Sequence, residues 1–194
     1  MENTRFQRPV IAIVGAGAVN SLTTDLFAAD GIEIHVFDDD DVEDVNIGLS
    51  AFHQEHVGMS KAHALCDLLR DKYNIQAFSH RMTITSKEDI MAVNPTLVID
   101  GLDNVESRLF THGLGVDTVH VGVSHERHGE VVWDEHYVVP DAYSKRGEGE
   151  VICTRAAGKK IIRFVSVVAA QIIEEYLDEG TKRTVLVTEE LKVL

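Results

Sequence analysis

Residues 9–15 form an apolar run around Val-Ile-Ala-Ile-Val, the pattern of a strand covered on both faces. Residues 21–29 follow as a helix, ended by Asp30-Gly31, where glycine suits a left-handed cap, and 32–37 read as a second strand. From Ser60, placed to cap, residues 61–73 set Ala62, Leu65, Cys66 and Leu69 on one helical face, which makes Cys66 a core residue. Residues 75–82 read as a strand and 86–93 as a short helix opening on Ser-x-x-Asp, stopped by Asn94-Pro95. The run 96–100 is a compact strand, and 105–114 a helix. Residues 118–123 and 130–139 are β-rich, the second with the alternation of a strand wetted on one face. Residues 140–158, rich in Gly, Lys, Arg and Glu, predict a mobile crossover loop. Residues 160–177 form a long helix with a broad apolar face, opposite Arg163, Ser166 and Glu174, which suits burial in the fold or in a dimer. Residues 184–187 supply a last strand. Strands alternating with helices predict an α/β, doubly wound, Rossmann-like sheet, mainly parallel and mixed toward its end, in a single domain over 1–194.

The first strand runs into Gly15-Ala16-Gly17, and the second ends in Asp38. Such a turn brings backbone N–H groups and a helix N-terminus to a phosphate, while the later acid bonds a ribose hydroxyl. Asn20 stands where the usual fingerprint has its third glycine. These residues predict a nucleotide site, and by themselves serve ATP or NAD equally.

A net charge of −14 removes any general attraction for nucleic acid. The densest acidic run, 38–44, reads by itself as a solvated loop. No apolar stretch approaches the ~20 residues that span a bilayer, and the N-terminus lacks a secretory pattern, so a cytoplasmic protein without membrane contact is expected. Cys66 and Cys153, the two cysteines, cannot build a disulfide framework or a four-thiolate zinc site.

Further motifs follow in order: Asp38-x-Asp40-x-Val42-Glu43-x-x-Asn46-Ile47-Gly48, then Gly58-x-x-Lys61-Ala62, then Ile99-Asp100-Gly-Leu-Asp103-Asn104-x-x-x-Arg108. In that order and spacing the chain resembles the ThiF and MoeB family, the adenylating domain of ubiquitin-activating enzymes, over about residues 9–175. The resemblance implies ATP and Mg2+, with activation of the C-terminal carboxylate of a small ubiquitin-like or sulfur-carrier protein, or a peptide, as an acyl-adenylate. It implies cofactor contacts from Gly15, Gly17, Asp38, Asp40 and Asn46, with Asp38 on the ribose, Lys61 facing the phosphates and Asp103 ligating the metal. It also implies a homodimer, and places Cys153 where some relatives carry a catalytic cysteine; Arg5-Phe6-x-Arg8 resembles a family arginine motif that reaches the partner's site, though an ordinary basic start is the plainer reading.

The chain departs from the family pattern after Gly48, where Leu49 and Ser50 stand in place of an arginine and a glutamine. A phosphate-contacting cation is missing there, and Arg108 is open to either a structural or a phosphate role. Three functions follow: an adenylating enzyme, a degenerate nucleotide-binding scaffold, or an NAD-binding oxidoreductase, the last leaving Lys61 and Asp103 unexplained. His125, His128 and Cys153 can be assembled into a metal site, though surface histidines are the plainer reading.

Overall fold

The computed structural model describes residues 8–103, 105–124, 128–139, 156–188 and 190–194. A seven-stranded sheet runs through it: β1 (Val10–Val14), β2 (Glu33–Phe37), β3 (Gln76–His80), β4 (Leu97–Asp100), β5 (Asp117–Val123), β6 (Gly129–Trp133) and β7 (Val185–Val187). Their order across the sheet is β3-β2-β1-β4-β5-β6-β7. β1 to β5 pair in parallel, and β6 and β7 add antiparallel to the far edge. The chain therefore reverses its direction across the sheet between β1 and β4, the place where open α/β sheets bind ligands.

β1 and β4 are buried along almost their whole length because helices cover both faces. On one side pack α1 (Ala18–Phe27), α2 (Lys61–Tyr73) and α5 (Ala156–Glu179); on the other are α3 (Lys87–Met91) and α4 (Val105–Thr111). Ala62, Leu65, Cys66 and Leu69 of α2 are all fully buried, as their spacing predicts. Burial pushes the Cys66 thiol up to about 12, so it packs as a small apolar group.

Several boundaries differ from the sequence reading. α1 starts at Ala18, since Gly17 opens the helix and the Ser21 hydroxyl bonds back to Ala18 O at 3.2 Å. It ends at Phe27, and Gly31 takes its left-handed φ of +94° in the turn into β2. Ser60 sits at the N-cap of α2, but its hydroxyl makes no cap bond. The box of Ser86 and Asp89 at α3 does form. Ser166 lies on the buried side of α5, bonded to Ile162 O and to Val19 O, because α5 packs closely on α1. β6 stops at Trp133 because the next residue, Asp134, turns its carboxylate to the Gly113 N–H, His112 and His120. The same bonds help stop α4 at Thr111.

Candidate functional site

The carboxyl ends of β1, β2 and β4 meet at the reversal point. Gly15 N donates to Phe37 O at 2.8 Å, and Gly101 N donates to Val14 O at 2.9 Å. Gly15 has a φ of +83°, and a Cβ there would lie 3.3 Å from the Gly101 backbone, so two separate constraints require glycine. At Gly17 a Cβ would meet nothing within 4 Å. That residue caps α1 without any side-chain bond, so open space faces the first N–H groups of the helix. The arrangement suits an anion.

Asn20 has a structural task in place of the missing glycine. Its Nδ2 donates to Gly15 O at 2.9 Å and lies within 3.4 Å of Val14 O and Ile99 O, locking the glycine turn to the neighbouring strand ends.

Asp38 is pinned between two loops. Its Oδ2 accepts the Ala16 N–H at 2.6 Å and its Oδ1 the Asp40 N–H at 2.9 Å. Burial raises its carboxyl above the ordinary value, against the pull of these two donors and of Lys61. An ionised carboxylate has about four acceptor positions, and these bonds use two.

The acidic run separates by direction. Asp39 accepts the Thr83 hydroxyl at 2.5 Å and Asp41 pairs with Arg81 at 3.1 Å, both toward the loop after β3. Asp40 turns instead to Lys61, whose Nζ lies 2.7 Å from its Oδ2. The backbone explains this approach: Val42 N bonds Met59 O, Gly58 N bonds Val42 O, and Lys61 N bonds Asp40 O at 2.9 Å, zipping the two segments together. Burial works against the Lys61 charge, but the bond to Asp40 and the charges of Asp38, Asp40 and Glu43 outweigh it and raise its pKa. Asn46 spends its Oδ1 on the Glu43 N–H at 2.8 Å, which shapes the loop.

Asp103 is exposed on the loop after β4. Arg108 is committed below it, donating to Leu102 O at 2.6 Å and to the Tyr137 hydroxyl, with Glu130 at 3.5 Å; its role is to hold that loop. Leu49 is buried, so it replaces the missing arginine with core packing. Arg163 is exposed, on the side of α5 away from its apolar face as the spacing predicts, and from there reaches back across 115 residues to Gly48 O at 3.2 Å. It lines a cavity of about 480 Å³ with Ile47, Gly48, Phe52, Leu68 and Lys72. No local spacing signals this contact. Arg8 pairs with Gln76 on the edge strand at 2.8 Å. Arg5, Asn104, His125, Cys153 and most of the 140–158 segment lie outside the described residues.

The sequence matches the ThiF family profile over residues 3–120. The chain belongs to the ThiF family. Ubiquitin-like modifier-activating enzyme 5 of Mus musculus is 33% identical over 114 residues, covering 51% of this chain and 28% of that protein. The Branchiostoma floridae enzyme of the same name is 33% identical over 120 residues, covering 54% and 30%. This ThiF chain thus matches less than a third of the length of these relatives. Among solved structures, Escherichia coli MccB with AMPCPP and MccA superposes with a TM-score of 0.75 at 13% identity, over 97% of this chain and 63% of that one. Escherichia coli tRNA N6-threonylcarbamoyladenosine dehydratase in complex with AMP gives 0.54 at 24% identity, over 59% and 51%. These likenesses establish a shared ThiF-like fold. Among the described residues no helix is long and apolar enough to cross a membrane.

Proposed function

We propose that this chain is a single ThiF-type adenylating domain, cytoplasmic and homodimeric, that binds ATP with Mg2+ at the ends of β1, β2 and β4. Its substrate is the C-terminal carboxylate of a small ubiquitin-like or sulfur-carrier protein, or of a peptide. A carboxylate oxygen attacks the α-phosphorus of ATP, the bond from that phosphorus to its bridging oxygen breaks, and pyrophosphate leaves with the electron pair. Both nucleophile and leaving group are anionic, so the site must supply positive charge.

The observation that carries this reading is Asp38, held by the Ala16 and Asp40 N–H groups with acceptor positions left for ribose hydroxyls. The open N-terminus of α1 faces the phosphates, and Lys61, held by Asp40, supplies a fixed cation. Phosphates beside Asp38, Asp40 and Asp103 would be repelled without a further cation. Mg2+ bound by Asp103 supplies that charge, and carboxylate oxygen suits it. Asn46 supports the pocket by shaping its acidic loop, and Cys153 is the candidate thioester nucleophile. The relatives named as ubiquitin-like modifier-activating enzymes, and the MccB structures holding AMPCPP or ATP, support ATP over NAD. A nucleotide-binding scaffold without catalysis is the second reading, favoured by the buried Leu49 in place of a cation.

Calorimetric titration tests the site. ATP with Mg2+ is expected to bind and NAD is not. Asp103→Ala should weaken the Mg2+-dependent part of binding about tenfold or more, whereas Asp44→Ala, whose carboxylate is bonded to Gln54, should change little. Equal effects would remove Asp103 from the site. Exchange of pyrophosphate into ATP in the presence of a carboxylate partner, lost in Lys61→Ala, identifies the enzyme. Tight ATP binding without exchange identifies the scaffold.

A further inference from the structure

A second polar cluster lies between α4, β5 and β6, outside the glycine turn and the acidic loop. His120 on β5 is fully buried with both ring nitrogens facing carboxylates: Nδ1 lies 2.8 Å from Asp100 Oδ2, and Nε2 lies 3.0 Å from Asp134 Oδ1. His112, just past α4, directs its Nδ1 to the same Asp134 oxygen at 2.7 Å. His112 Nδ1, His120 Nε2 and an Asp134 oxygen all lie within 4.8 Å of one another. Tyr137 stacks flat on the His120 ring, with centroids 3.7 Å apart, and fixes its plane.

Two features separate this cluster from an ordinary hydrogen-bond network. Asp100, itself fully buried, also accepts the Thr111 hydroxyl at 2.9 Å through the oxygen that meets His120. Asp100 thus stands where an outer carboxylate would orient a metal-binding imidazole, with the proton on Nδ1 and the Nε2 lone pair turned the other way. Convergence is the second feature. To serve both carboxylates with hydrogen, His120 must carry two ring protons while His112 brings another N–H to the same oxygen. A cation at the meeting point replaces those protons. Access exists, because the His112 side chain is 42% exposed and Asp134 18%, while His120 is closed off.

The geometry points to a divalent transition-metal site, best suited to Zn2+, with His112 Nδ1, His120 Nε2 and an Asp134 carboxylate oxygen as ligands and water completing a tetrahedron. Two imidazoles and one carboxylate favour zinc over magnesium, which prefers oxygen donors in an octahedron. The site owes nothing to cysteine. Ligation exchanges ring protons for the ion, so binding releases protons. It ties the end of α4 and the turn after β6 to β5. Asp100 extends the tie, because its Oδ1 accepts the Leu102 N–H at 3.0 Å beside Asp103.

The test uses the whole chain, stripped by chelator and then titrated with Zn2+ in excess Mg2+. One Zn2+ per chain is expected, with ring resonances of His112 and His120 shifting while those of the exposed His53 and the half-buried His56 stay in place. His112→Gln, at a half-exposed position that the fold tolerates, should weaken binding at least about tenfold, and His53→Gln should leave it unchanged. Co2+ in place of Zn2+ should give the strong visible absorption of a tetrahedral site, lost in His112→Gln. Failure to take up Zn2+ overturns the proposal. So does uptake unchanged by His112→Gln, or shifts confined to other histidines.

Discussion

Asp38 follows β2 and Asp134 follows β6, and backbone N–H groups serve both, yet their carboxyls shift in opposite directions. At Asp38 burial outweighs two backbone donors and a lysine shared with Asp40, and the charged form is disfavoured. At Asp134 burial also opposes the charge, but the bonds from His120, Gly113 N–H and His112 together overcome it, and its pKa is lowered. One carboxylate is under-served by the chain and the other is fully engaged. The difference teaches how the two ends of the sheet divide their work: the β1–β2–β4 end leaves carboxylate acceptor capacity open, while the α4–β5–β6 end turns its polar groups on one another, at the point where the proposed cation would stand in for their protons. Asp100 joins them, since one of its oxygens holds His120 and Thr111 and the other holds the loop of Asp103.

The comparison breaks most visibly at Asp100. Replacing it with alanine takes the acceptor from the buried His120 Nδ1 and from the Leu102 N–H, while the Thr111 hydroxyl keeps Arg108 O, and removing the carboxylate partner of a buried imidazole costs about 3–5 kcal/mol. Asp103→Ala, three residues on and exposed, should stay within about 0.5 kcal/mol. Urea unfolding of both variants measures the contrast, and similar losses would erase the division.

A smaller effect is expected where the glycine turn meets β4. A Cβ on Gly101 would lie 2.5 Å from the Asn20 side chain, too close to stand. Gly101→Ala should therefore cost about 1–3 kcal/mol of stability. In an Asn20→Ala background the added cost should shrink, with a coupling of about 0.5–3 kcal/mol between the two positions. Additive losses would mean that Asn20 does not brace the turn.

Gly15, Gly17, Asp38 and Lys61 are legible in the sequence because each belongs to a short motif of fixed spacing, and the strand ends carry such motifs to one place. The alternation within the acidic run is not legible. Asp39 and Asp41 are drawn off by Thr83 and Arg81, forty or more residues away, and only the folded sheet brings those partners near. Arg163 escapes notice for the same reason: on a helical wheel it faces outward, yet it meets Gly48 across the packing of α5. His112, His120 and Asp134 come together only through the antiparallel register of β5 against β6 and the ends of α4 and β6, so no motif announces them. The alternation over 130–139 carries β6 past its true end because Asp134 reads as one more polar step, and its three donors come from elsewhere in the chain.

The smallest effect, and the sharpest test of the opposite shifts, is in the dependence of stability on pH. Asp134 has a lowered folded pKa, so it contributes stability that is present above its unfolded value, near 3.9, and lost as pH falls through the folded value. Asp38 has a raised folded pKa. Its contribution is fully present below the unfolded value and is lost as pH rises through the folded one. Asp134→Asn should therefore fall furthest behind wild type near neutral pH and regain ground below about pH 4. Asp38→Asn should do the reverse, since the variant escapes a charge that the fold disfavours and its deficit is smaller at neutral pH than in acid. Urea unfolding of wild type and both variants between about pH 7 and pH 3 gives the two slopes. Slopes of the same sign would mean that the two strand ends treat their carboxylates alike, and the reading of Asp38 as a group awaiting a ligand would lose its electrostatic support.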